Sequence, residues 1–147
     1  MPSARNFFTA EQQQMILHAI AEAESHTSGE VRLHLEDHCS GDPVTRAQYL
    51  FHKIGMDKTD ERNGVLIYLA VRDRKFAIIG DRGINDRVPE HFWTSIRDAM
   101  TNQFKMQAFT EGICAAIQET GVKLKTFFPR AVDDTDELTN EISFRDE

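Results

Sequence analysis

Three features of the chain predict an α/β fold: a three-layer α/β/α sandwich around a small mixed sheet. Helix-period and strand-period segments follow one another in the order helix, strand, helix, strand, strand, helix, helix. One segment, Val65 to Val71, is apolar throughout, as a strand covered on both faces must be. The first two strands are separated by a helix, which makes them parallel neighbours through a right-handed crossover. The third follows after only three residues and must run back. At 147 residues the chain closes one core. Residues 1–129 are expected to form the domain and residues 130–147 an acidic C-terminal tail.

Each element has a local reason. Thr9 followed by Gln12 is a capping-box opening, in which hydroxyl and amide satisfy each other's backbone donors. Met15, Ile16, Ala19, Ile20 and Ala23 then recur at helical spacing to about His26, and Thr27-Ser28-Gly29 breaks the run. Val31, Leu33 and Leu35 alternate with Glu30, Arg32 and His34, the period of a half-buried strand over residues 29–36. Asp42-Pro43 supplies an N-cap and a first-turn proline. Val44, Ala47, Leu50, Phe51 and Ile54 line the helix that follows, and Gly55 closes it.

Residues 57–63 read as an exposed polar loop before the buried strand at 64–71. Arg72-Asp73-Arg74 is a hairpin turn, so Phe76 to Ile79 return antiparallel. Pro89 opens a third helix with Phe92, Trp93, Ile96, Met100 and Phe104. A fourth runs from about Thr110 to Phe127, with Gly121 as its weak point. Beyond Pro129 no period is legible.

Composition excludes several function classes. Net charge is −7, of which −5 falls in residues 130–147. With no basic stripe, neither nucleic acid nor an anionic membrane surface is an expected partner. The longest apolar run is seven residues against the roughly 20 that span a bilayer, so direct membrane insertion is not expected. Met1 to Phe8 lacks the apolar stretch of a secretory leader, and the expectation is a cytoplasmic protein. Cys39 and Cys114 form no disulfide framework or metal spacing and read as reduced thiols. No nucleotide-binding glycine loop and no nucleophile elbow is present. Asp133 to Glu137 lacks the glycine and spacing of a calcium-binding hand.

Strand direction turns scattered acids into neighbours. Parallel first and second strands start at one sheet edge, and the reversed third strand ends there. That edge collects Glu30, Asp60, Glu61, Asp81 and, in the following loop, Asp86. An oxygen-only set suits a hard ion, Ca²⁺ or Mg²⁺, with Glu30, Asp60, Asp81 and Asp86 as candidate ligands. The alternative is a solvated rim in which Arg62, Arg82 and Arg87 neutralise the acids.

The opposite edge carries Glu36, Asp37, His38, Cys39, Asp42 and Asp73. Thiol and imidazole beside carboxylates suit a transition metal, but with no second pair at a distance a surface loop is the plainer reading. His38-Cys39 with Arg46 misses the cysteine-phosphatase loop: six residues intervene instead of five. Asp42 and Pro43 also place a charge and a missing N–H where donors are needed.

Thr27-Ser28-Gly29-Glu30-Val31-Arg32, then Arg62-Asn63-Gly64-Val65-Leu66-Ile67, then Gly80-Asp81-Arg82-Gly83-Ile84 resemble the TPM domain family. The likeness spans roughly residues 7–129, and Asn140-Glu141-Ile142-Ser143 resembles a bacterial branch. The resemblance implies an α/β/α sandwich and divalent-metal binding by acidic residues. It carries onto Glu30, Asp81 and Asp86, and it also implies a phosphatase activity attributed to plant members. The leading expectation is a domain that binds Ca²⁺ or Mg²⁺. The alternatives are a metal-dependent acid phosphatase, and a non-catalytic module for a protein partner in membrane-protein assembly or repair, docking through the acidic tail. No nucleophile signature marks a catalytic residue.

Overall fold

The computed structural model describes residues 2–130 and 142–145. Its elements are α1 (Ala10–Glu24), β1 (Glu30–Glu36), α2 (Pro43–Lys53), β2 (Gly64–Ala70), β3 (Lys75–Gly80), α3 (Arg82–Asn85), α4 (Thr94–Lys105), α5 (Phe109–Leu124) and β4 (Ser143–Arg145). The sheet order is β3-β2-β1-β4. β1 and β2 are parallel, with Glu30 opposite Gly64 and Glu36 opposite Ala70. β3 runs antiparallel to β2, with Gly80 opposite Val65. The expected crossover and hairpin are both present.

Side-chain alternation sorts the sheet into two faces. Val31, Leu33, Leu35, Val65, Ile67 and Leu69 join a core closed by α1, α4 and α5, through residues such as Ile16, Ile20, Ile96, Ile113 and Ile117. Leu66, Tyr68, Ala70 and Ala77 face Ala47, Leu50 and Phe51 of α2. Helices therefore cover both faces, and the architecture is the expected three-layer sandwich. The capping box of α1 forms, with Gln12 N–H donating to Thr9 Oγ1 at 3.1 Å and Thr9 N–H to Gln12 Oε1 at 2.9 Å. Asp42 caps α2 by accepting from Thr45 N–H at 2.9 Å.

Gly121 is explained by a close approach. A Cβ at that position would lie 2.8 Å from both Cα and Cβ of Ala23, where α5 crosses α1. Helix propensity alone would make Gly121→Ala stabilising by about 1 kcal/mol. Overpacking of this kind costs about 1–3 kcal/mol. We expect the packing to win, so that Gly121→Ala lowers the urea midpoint.

Three features depart from the sequence reading. The loop after β3 contains one helical turn, α3, capped by Asp81. Helix α4 starts at Thr94, and residues 89–93 form turns with Phe92 N–H on Pro89 O and Thr94 N–H on His91 O. The aromatic pair explains the delay. Phe92 and Trp93 meet edge to face at 4.9 Å and both pack into the core, whereas adjacent residues on a helix point about 100° apart. Finally, Ser143–Arg145 add a fourth strand, parallel to β1 beside residues 34–36. Three residues are too few to show a period. The segment 131–141, with Asp133 to Glu137 and most of the expected docking arm, lies outside the described residues. Among the described residues no helix is long and apolar enough to cross a membrane.

Candidate functional site

The sheet brings Glu30 and Asp81 to one edge. Glu30 opposes Gly64 across the parallel pair, and Asp81 N–H donates to Gly64 O at 2.9 Å on the other side. The three residues form a row across the sheet. Both acids are buried, and Gly64 leaves room between them for the backbone of the preceding loop: a Cβ there would lie 2.8 Å from Met56 O. Asp60 and Asp86 remain exposed on the rim.

Asp81 already has a cation. Arg62 Nε donates to Asp81 Oδ2 at 2.8 Å and Arg62 Nη2 to Oδ1 at 3.1 Å, a fork on a carboxylate. Asp81 Oδ1 also accepts from Arg82 N–H at 2.7 Å as the cap of α3. The hydrogen bond from Arg62 to Asp81 holds the guanidinium pKa above its ordinary value. The backbone is shaped for this pairing. Arg62 sits in the left-handed region at φ 52°, and Gly83 packs so closely that a Cβ would be 2.1 Å from Glu61 O and 2.5 Å from Arg62 O. Beside them Asn63 Nδ2 donates to Ser28 Oγ and to Glu61 Oε2, both at 3.1 Å. Arg87 lies instead over the Phe128 ring at 4.6 Å.

The donor chemistry suits a hard cation, but the arrangement is not a cage. Among the described residues no three His, Cys, Asp or Glu side chains gather where they could hold a metal ion. Both oxygens of Asp81 are on Arg62. As arranged, the acids do not fit an ion unless the guanidinium moves away.

The opposite edge holds a buried ionic network that the sequence reading did not assemble. Glu36 is buried, and its carboxylate accepts from Arg46 Nε at 2.8 Å, from Arg46 Nη2 at 2.9 Å and from the hydroxyl of Tyr68. Burial pushes the Glu36 pKa up, but the bonds from Arg46 and Tyr68 outweigh it and hold it below the ordinary value. His34 stacks on Tyr68 with ring centroids 6.2 Å apart, and its Nδ1 is 2.9 Å from Ser143 Oγ of β4. Burial lowers its pKa to about 4, with Arg46, Arg32 and Arg145 adding to the effect and Glu36 opposing it.

Alternation grouped His34 with Glu30 and Arg32 on one face of β1, and Glu36 continues that face. It could not show that Arg46, on α2 packed over β2 and β3, reaches Glu36 on that face. The nearby loop is held to the hairpin turn: Cys39 N–H donates to Asp73 Oδ2 at 2.7 Å and His38 Nδ1 lies 3.0 Å from Asp73 Oδ1. Lys75 Nζ donates to the carbonyls of Cys39 and Gly41. Both cysteines are free thiols.

The family model of the TPM domain matches residues 3–123. The chain belongs to the TPM domain family. Among solved structures, this TPM domain is similar to the BA42 protein of the psychrophilic bacterium Bizionia argentinensis, at 46% identity and a TM-score of 0.91, over 99% of this chain and 100% of that one. It is also similar in fold to the N-terminal domain of the cg2496 protein from Corynebacterium glutamicum. There the identity is 15% and the TM-score 0.64, over 79% of this chain and 73% of that one. No curated protein matches the chain.

Proposed function

We propose that this TPM domain is a binding module for a divalent cation, Ca²⁺ or Mg²⁺, which competes with Arg62 for Asp81. Glu30 is the second carboxylate of the site, with Asp60 and Asp86 on its rim. The observation that supports this reading is the row Glu30–Gly64–Asp81, two buried carboxylates on either side of a side-chain-free position. Arg62 is bound at Asp81 and one third exposed, so its side chain can swing into water without disturbing the core. Oxygen ligands from carboxylates and backbone carbonyls are the set that hard cations prefer. The guanidinium then acts as an internal stand-in for the ion.

The competition gives the test its direction. Titration of backbone amide signals with Ca²⁺ and with Mg²⁺ should give saturable shifts around Gly64 and Asp81. Arg62→Gln should bind several-fold more tightly than the parent, and Asp81→Asn should lose the response. Equal affinity in the parent and Arg62→Gln, or shifts confined to other parts of the chain, would remove the reading.

A further inference from the structure

At the far end of β3 from Asp81, a cleft of about 330 Å³ opens between the β2–β3 hairpin and the turn joining α4 to α5. Its floor is aromatic. Phe76 and Phe104 meet edge to face at 5.1 Å, and Phe104 and Phe109 lie at 5.1 Å. The lining contains two cations, Arg74 and Lys105, and no carboxylate, in a protein whose net charge is −7. The Arg74 guanidinium stands 4.5 Å from the centre of the Phe109 ring and 5.5 Å from that of Phe7, which fixes a charge at the mouth of an apolar slot. Ligands of open α/β sheets collect outside the carboxyl ends of the parallel strands, and the hairpin follows that end of β2.

Backbone geometry adds an independent observation. Among the described residues, three non-glycine positions have positive φ: Arg62, Arg74 at 56° and Gln107 at 60°. Arg62 belongs to the Asp81 pair, and the other two both line this cleft. Glycine would adopt these angles without the penalty of roughly 1 kcal/mol or more that a side chain brings. At the cleft, Arg74 and Gln107 place side chains at two such positions.

We propose that this cleft binds a small amphiphilic anion: a flat apolar group stacked among Phe76, Phe104 and Phe109, with its carboxylate or phosphate head on Arg74 and Lys105 and within reach of Gln107 and Thr101. The proposal is independent of the cation reading, whose residues lie at the other sheet edge.

The experiment uses naphthoate and naphthyl phosphate as probes against the full chain, followed by amide shifts, with neutral naphthamide as the control. Both anions should shift the signals of Arg74, Thr101, Gln107 and Phe109, and their affinities rank the two head groups. Naphthamide should bind at least about fivefold more weakly, and added salt should weaken the anions. Lys105→Ala changes only an exposed side chain and should reduce affinity severalfold. Gln107→Gly should weaken binding while leaving stability unchanged or raised, an outcome that a purely structural role for Gln107 does not give. Equal binding of naphthamide, shifts that map elsewhere, or undiminished affinity in both variants overturns the proposal.

Discussion

Glu36→Ala is expected to destabilise the fold by about 3 kcal/mol at neutral pH, read as a drop in the urea unfolding free energy. Removing one member of a buried ion pair costs about 3–5 kcal/mol, because its partner is left charged and uncompensated. Here the partner moderates the effect. The Arg46 side chain is 26% exposed and can turn toward water, which places the loss at the lower end. Tyr68 has no such exit. Its hydroxyl is fully buried and donates to Glu36, so the truncation leaves it only the weak Cys39 thiol as a partner, a loss of about 1–3 kcal/mol within that total.

The companion variants separate the contributions. Tyr68→Phe removes the hydroxyl together with its need for a partner and should lose only about 1 kcal/mol. Glu36→Gln keeps the shape and one acceptor and should fall between the two. A Glu36→Ala protein within about 0.5 kcal/mol of the parent, the range of ordinary surface substitutions, would show that the network contributes little to folding.

The contrast between the two sheet edges shows what a linear sequence carries. Chain direction was legible: a helix between two strands and a three-residue turn after the second fix parallel and antiparallel neighbours, and with them the meeting of Glu30 and Asp81 at Gly64. The partner of Asp81 was legible only as one of three arginines. The selection of Arg62 depends on a left-handed backbone at that residue and on the approach of Gly83 to the Glu61 and Arg62 carbonyls, both tertiary facts.

At the other edge, Tyr68 was read only as part of an apolar strand, and its hydroxyl finds a role only where Glu36 comes beside it. Glu36 and Arg46 are ten residues apart on different elements, and nothing local announces that Arg46, on a helix packed over β2 and β3, reaches across to Glu36 of β1. β4 is the extreme case. Three residues carry no period, and their place is set by a pairing with β1 more than a hundred positions earlier, together with the burial of Ile142.

That pairing also bears on the second large effect, a loss of stability in mild acid controlled by His34. The imidazole is buried against Tyr68 and Ser143, and its pKa in the folded protein is about 4. In the unfolded chain a histidine titrates near 6.5. The sign follows from proton counting. Above about pH 6.5 both states leave the ring neutral and its full contribution is present. As pH falls below 6.5 the unfolded chain takes up a proton that the folded protein refuses, so stability declines until the folded ring also titrates near pH 4. Two states separated by 2.5 pKa units differ by about 3 kcal/mol once both are protonated, and about 2 kcal/mol of this is lost between pH 7.5 and pH 5.

Carboxylates muddle the lower part of this window. Glu36 is held below its ordinary pKa and gives up its own contribution as pH falls further. The difference between the parent and His34→Gln isolates the imidazole from these groups and from the other histidines. Urea unfolding of both proteins from pH 7.5 to 5 should therefore give a steep dependence for the parent and a shallower one for His34→Gln. The gap should narrow toward acid because the variant no longer favours protonation of the unfolded chain. Parallel profiles would mean that the folded protein accepts the proton at His34 near pH 6.5, and that burial against Tyr68 and Ser143 does not exclude charge from this position.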